Sequence, residues 1–62
     1  MPSIYTSFKI GQRVQLHPAT DTWMKGDRYG EVVKIGRLYI HVKLDKSDHV
    51  LRFRPDNLLP LD

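Results

Sequence analysis

A chain of 62 residues holds one domain at most and lies near the lower size limit for folding without a staple. With no cysteine, disulfides and thiolate metal sites are excluded and an intracellular setting is favoured, while a formal charge of +3 allows a polyanionic partner without requiring one. No run approaches the ~20 apolar residues of a membrane helix, and Met1–Phe8 lacks the apolar stretch of a signal peptide, so no membrane association and a cytoplasmic location are expected.

Met1–Ser7 carries Pro2, Ser3, Thr6 and Ser7 without periodicity and reads as a loose lead-in to a single domain over residues 8–62. Phe8 and Ile10 begin the apolar pattern. Arg13–His17 then alternates, with Val14 and Leu16 on one side and Arg13, Gln15 and His17 on the other, the pattern of a half-buried strand. Pro18 ends it, because proline has no amide to donate and restricts the residue before it. Pro18–Tyr29 reads as a long loop rich in Thr, Asp and Gly. No helix is expected there or elsewhere, since no window carries an apolar stripe of helical period.

Gly30–Pro55 predicts three antiparallel strands joined by two tight turns. Ile35-Gly36-Arg37-Leu38 has the glycine that a two-residue type II′ hairpin wants at its first central position. That turn pairs Ile35 with Leu38, Lys34 with Tyr39, Val33 with Ile40 and Val32 with His41. Asp45-Lys46-Ser47-Asp48 reads as a four-residue loop pairing Leu44 with His49. It sets Val42 opposite Leu51, His41 opposite Arg52, Ile40 opposite Phe53 and Tyr39 opposite Arg54. Both turns agree on sides, because strand side chains alternate with period two. Val33, Ile35, Leu38, Ile40, Val42, Leu44, Leu51 and Phe53 are expected inward. Val32, Lys34, Tyr39, His41, Lys43, Val50, Arg52 and Arg54 are expected outward. Strict alternation also points Glu31 inward, which a bulge at Gly30 or Glu31, or a rim position, would relieve. Pro55-Asp56-Asn57-Leu58 predicts one 3₁₀ turn, and Leu59–Leu61 a short last strand.

This order of strands resembles the SH3-like barrel, which implies an all-β fold: a five-stranded antiparallel barrel with a long first loop and a 3₁₀ turn before the last strand. Gly11-Gln12-Arg13-Val14 and Gly30-Glu31-Val32-Val33-Lys34-Ile35 resemble the KOW motif of ribosomal proteins and transcription elongation factors. The insertion carrying Trp23 and Met24 departs from the compact loop of that family. The outward Val32 also departs from its core role there, and a bulge at that point would restore it. The segment HPATDTWMKGDRYG resembles small proteins of bacteria and their phages, and that likeness implies no activity.

The outward face collects Lys34, Tyr39, His41, Lys43, Arg52 and Arg54. Cations neutralise phosphates and an exposed ring stacks on an unpaired base, so this face is the candidate nucleic-acid site, for RNA or DNA. KOW-type barrels resemble this in binding RNA, DNA or protein. The bland alternative is an ordinary solvated sheet face with Arg54 stacked on Tyr39. Six of the seven acids, Asp21, Asp27, Asp45, Asp48, Asp56 and Asp62, fall in expected loops or the terminus, where Asp forms turns. A second candidate is Trp23 with Tyr29 in the long loop, weighed against Trp23 simply closing one end of the barrel. The runner-up function is a protein-interaction module or an accessory of a larger assembly.

His17, His41 and His49 lack ligand spacing, so no metal is expected. No nucleophile motif, phosphate loop or paired carboxylates occur, so neither catalysis nor a cofactor is expected. Val50–Pro55 resembles the Val-x-Ile-Tyr segment of plasmid-borne type II dihydrofolate reductase. Arg52 replaces its apolar position and Phe53 its hydroxylated ring, which argues against that activity.

Overall fold

A computed structural model of the chain describes residues 8–61; the expected lead-in, Met1–Ser7, lies outside the described residues. Five strands form one antiparallel sheet. They are β1 (Arg13–Leu16), β2 (Tyr29–Ile35), β3 (Ile40–Leu44), β4 (Val50–Phe53) and β5 (Leu58–Pro60), in the spatial order β4-β3-β2-β1-β5. No ladder among the described residues joins β4 to β5, so the hydrogen-bonded sheet has two edges and is not closed on itself as expected of a barrel. The expected 3₁₀ turn is present at Pro55–Asn57 and leads directly into β5.

One face of the sheet holds the core. Val14, Leu16, Val32, Ile40, Val42, Leu44 and Leu58 are buried there with Phe8 from the approach to β1, and Trp23, Ile35 and Phe53 pack against them. Alternation explains the set, since Val14 and Leu16 lie on one side of β1 and Ile40, Val42 and Leu44 on one side of β3. Burying one such aliphatic side chain contributes about 1.5–3 kcal/mol, so a handful of them carries most of the stability of so small a domain.

The β3–β4 hairpin has the expected register. Ile40 faces Phe53, His41 faces Arg52 and Val42 faces Leu51. The Leu44 amide donates to the His49 carbonyl at 2.8 Å, and Asp48 takes φ +66°, a conformation that Asp tolerates in turns.

The β2–β3 hairpin differs from expectation. Its strands pair Ile35 with Ile40 and Lys34 with His41, leaving Gly36–Tyr39 as a four-residue connection closed by the Gly36 amide on the Tyr39 carbonyl at 2.9 Å. Gly36 is not among the residues of positive φ, so the type II′ turn does not form. Leu38, expected inward, stands exposed in this connection.

Beyond Lys34 the register shifts. Val32 pairs with Val42, and Val33 is the extra residue of a β-bulge. The bulge reverses the expected sides: Val32 is fully buried rather than outward, and Val33 is exposed rather than inward. Glu31, paired with Lys43 and Arg13, is released to solvent instead of pointing into the core. The physical driver is the cost of a buried carboxylate, which is large unless it is paired. A second irregularity lies opposite. The Gly11 amide donates to the Val32 carbonyl at 2.7 Å while the Gln12 carbonyl accepts from the Val32 amide at 2.9 Å. Two residues thus face one, as in a G1 bulge, and Gly11 supplies the required positive φ of +88°.

The loop after β1 contains one turn of helix, α1 (Asp21–Met24), where none was expected. Thr20 caps it by accepting the Trp23 amide at 3.2 Å, and Asp21 occupies its first turn. Four residues are too few to show a helical period, which is why the pattern is invisible in the sequence.

Candidate nucleic-acid interface

The outer face is built from alternate residues of β2, β3 and β4. Register places Lys34, His41 and Arg52 in one row across the three strands, replacing the expected rows of Lys34-Tyr39-Arg54 and Val32-His41-Arg52. Tyr39 leads into β3 and is half-buried. It lies beneath Arg52, whose guanidinium carbon stands 5.1 Å from the ring centre, so Arg52 rather than Arg54 covers the ring. Arg54 follows β4 and is exposed. Arg37, in the β2–β3 connection, adds a further exposed cation at the same end.

Charge is partitioned along this face. The next row contains Val50, Lys43, Glu31 and Arg13. Lys43 reaches Asp48 at 3.5 Å, and Arg13 forms a two-pronged ion pair with Asp45. The hydrogen-bonded guanidinium holds the Asp45 carboxyl below its ordinary value and is itself pushed upward. These pairs are exposed, so each contributes little to stability. Their effect on the surface potential is larger, because this end is close to neutral. Lys34, Arg37, Arg52 and Arg54 carry no ion pair among the described residues. Of the six residues expected to form the site, Lys34, Tyr39, His41, Arg52 and Arg54 share the unneutralised end, and Lys43 belongs to the neutralised one.

Trp23 and Tyr29 do not make one site. Trp23 packs against the core side of the sheet, with the Arg28 guanidinium carbon 4.5 Å from its ring centre. Tyr29 precedes the buried Gly30, stands opposite Gln15 and is exposed on the other face. Met24 is exposed.

Asp27 has a part in the structure that its neighbours in sequence do not signal. Among the described residues it is the buried charged side chain, 6% exposed, and its carboxylate accepts the Lys46 and Ser47 amides at 3.0 Å each. Burial opposes its ionisation. The Ser47 hydroxyl, the two amides and the Lys46 charge outweigh that cost and hold the carboxyl below its usual value. Asp27 thereby ties the α1 loop to the β3–β4 turn, 19 residues away. Beside it lies a cleft of ≈ 490 Å³ whose lining includes the apolar Leu44 and Leu51 and the polar Lys25, Lys46 and His49.

His17 turns its Nδ1 to accept the Ala19 amide at 3.0 Å, His41 lies on the outer face and His49 borders the cleft. Among the described residues no three His, Cys, Asp or Glu side chains are grouped to hold a metal ion, and no helix is long and apolar enough to cross a membrane. No protein-family model matches the chain, and neither the curated proteins nor the solved structures compared with it contain a match.

Proposed function

We propose that this domain is a non-catalytic nucleic-acid-binding module that uses the outer face of β2, β3 and β4. One observation carries the reading: the Lys34-His41-Arg52 row, with Arg52 stacked over Tyr39, has no ion-paired carboxylate among the described residues. Phosphates would meet Lys34, Arg52 and Arg54, and an unpaired base would meet the Tyr39 ring once Arg52 moves to a phosphate. An SH3-like architecture is part of this proposal. The strand order and the 3₁₀ turn before β5 support it, although the sheet keeps two edges.

Fluorescence anisotropy with single-stranded RNA, single-stranded DNA and duplex DNA over a range of salt tests the proposal. Affinity should fall steeply with salt. Arg52→Ala should weaken binding to every sequence and reduce the logarithmic salt slope by ~0.7–0.9, the loss of one phosphate contact. Lys43→Ala should do less, its charge being shared with Asp48. Tyr39→Ala should cost single strands about 1–3 kcal/mol and spare duplexes. Absence of binding at low salt, where attraction is least screened, would defeat the proposal and leave the face to a protein partner.

A further inference from the structure

The two edges of the sheet are unlike. β5 ends in Pro60, which cannot donate to a ladder, whereas β4 (Val50–Phe53) contains no proline and no bulge. β4 also keeps apolar side chains in solvent on both faces: Val50 is 52% exposed and Leu51 42%. Its outer main-chain edge has no partner among the described residues.

The hydrogen-bond phase of the β3–β4 hairpin states which groups are free. The Leu44 amide donates to the His49 carbonyl while the Leu44 carbonyl accepts from the Asp48 amide; the first bond sets the phase, so Val42–Leu51 and Ile40–Phe53 are the hydrogen-bonded pairs of the ladder. Leu51 and Phe53 therefore direct their amides and carbonyls at β3. Val50 and Arg52 direct theirs away from the sheet.

We propose that β4 pairs with β4 of a second copy of this chain, antiparallel, about a two-fold axis at Leu51. In that register Val50 exchanges hydrogen bonds with Arg52 of the other copy, using the main-chain groups that are free. Leu51 meets its own counterpart on the core side, in a non-hydrogen-bonded pair. Registers one step away fit less well. Centring on Arg52 opposes two arginines, which is unfavourable. Centring on Val50 leaves most of the overlap to Asp48 and its neighbours, where φ +66° breaks the extended chain.

The contact is a short ladder, so the dimer should be weak and concentration-dependent. Sedimentation velocity from micromolar to millimolar protein reads it directly. Leu51→Glu should weaken dimerisation about tenfold or more by opposing like charges on the axis. Because the chain has no cysteine, single substitutions report the register without background. Leu51→Cys places two sulfurs on Cα atoms ~4.5 Å apart, within disulfide range. It should oxidise to a covalent dimer about tenfold faster than Arg37→Cys or Phe53→Cys, through the higher effective concentration in the paired state. The wild-type circular dichroism spectrum should be retained, because Leu51 is already partly exposed. A strictly monomeric wild type, or equal crosslinking rates at all three positions, would overturn the proposal.

Discussion

Gly30 is the position where β2 approaches its neighbour too closely for any side chain. It sits mid-strand, buried, paired with Val14 on one side and Leu44 on the other. A Cβ placed there would overlap the Val42 side chain and stand 2.7 Å from the Lys43 carbonyl oxygen. Val42 is a fully buried core residue, and the carbonyl is backbone, so neither can swing aside. Gly30→Ala must therefore displace β3 or distort β2. Overpacking of this kind costs about 1–3 kcal/mol, offset by up to ~1 kcal/mol from the lower entropy of the unfolded alanine chain. A 62-residue domain has a total stability of about 3–9 kcal/mol, so the loss is a large fraction. Thermal unfolding followed by circular dichroism should show Tm lower by about 4–8 °C for each kcal/mol lost. Gly36→Ala is the control. Its Cβ would meet the Tyr39 carbonyl oxygen at 3.2 Å in an open connection without positive φ, and its effect should be much smaller. Equal Tm values for wild type and Gly30→Ala would refute the close β2–β3 approach.

Other consequences can be measured on the same protein. Asp27→Asn should destabilise by about 1–3 kcal/mol at neutral pH, because the charged acceptor of two amides is lost. Since the folded carboxyl sits below its ordinary value, its stabilisation is complete above the unfolded pKa of ~3.9 and disappears as pH falls through the lower folded value. Urea titrations should then show wild type and Asp27→Asn converging in acid; a constant gap from neutral to acid pH would contradict the assignment. Ile40→Ala, at a fully buried core position, should cost about 2–5 kcal/mol, and a chemical-denaturation midpoint close to wild type would remove Ile40 from the core. Arg13→Ala breaks an exposed ion pair and should change stability by under ~1 kcal/mol; a larger loss would mean that the pair is more shielded than its exposure indicates.

Much of the sheet is legible without a structure. β1, the β3–β4 hairpin, the 3₁₀ turn and the last strand follow from features close together in the chain. Alternating apolar residues set the sides, Asp45–Asp48 can take the turn conformations, and Pro55 starts a turn it cannot extend as a ladder. The membership of the outer face follows for the same reason: once β3 and β4 are in register, period two carries His41 and Arg52 to one side.

What the tertiary structure decides is wherever a local rule meets a distant constraint. Gly36 by itself favours a two-residue turn, but pairing of β2 with both β1 and β3 requires Val32 in the core and Glu31 in water. The chain meets that requirement with a bulge at Val33 and a longer connection. Thr20 caps a helix only because the loop turns back over Trp23 against the core, and Asp27 finds the amides of a turn 19 residues onward. The division of the outer face into a neutral end and a cationic end is equally non-local, since Asp45 reaches Arg13 across 32 residues of chain. Alternation and turn chemistry act over a few residues and are written in the sequence. Burial, ion pairing and strand register between separated segments depend on distances through space, which folding alone establishes.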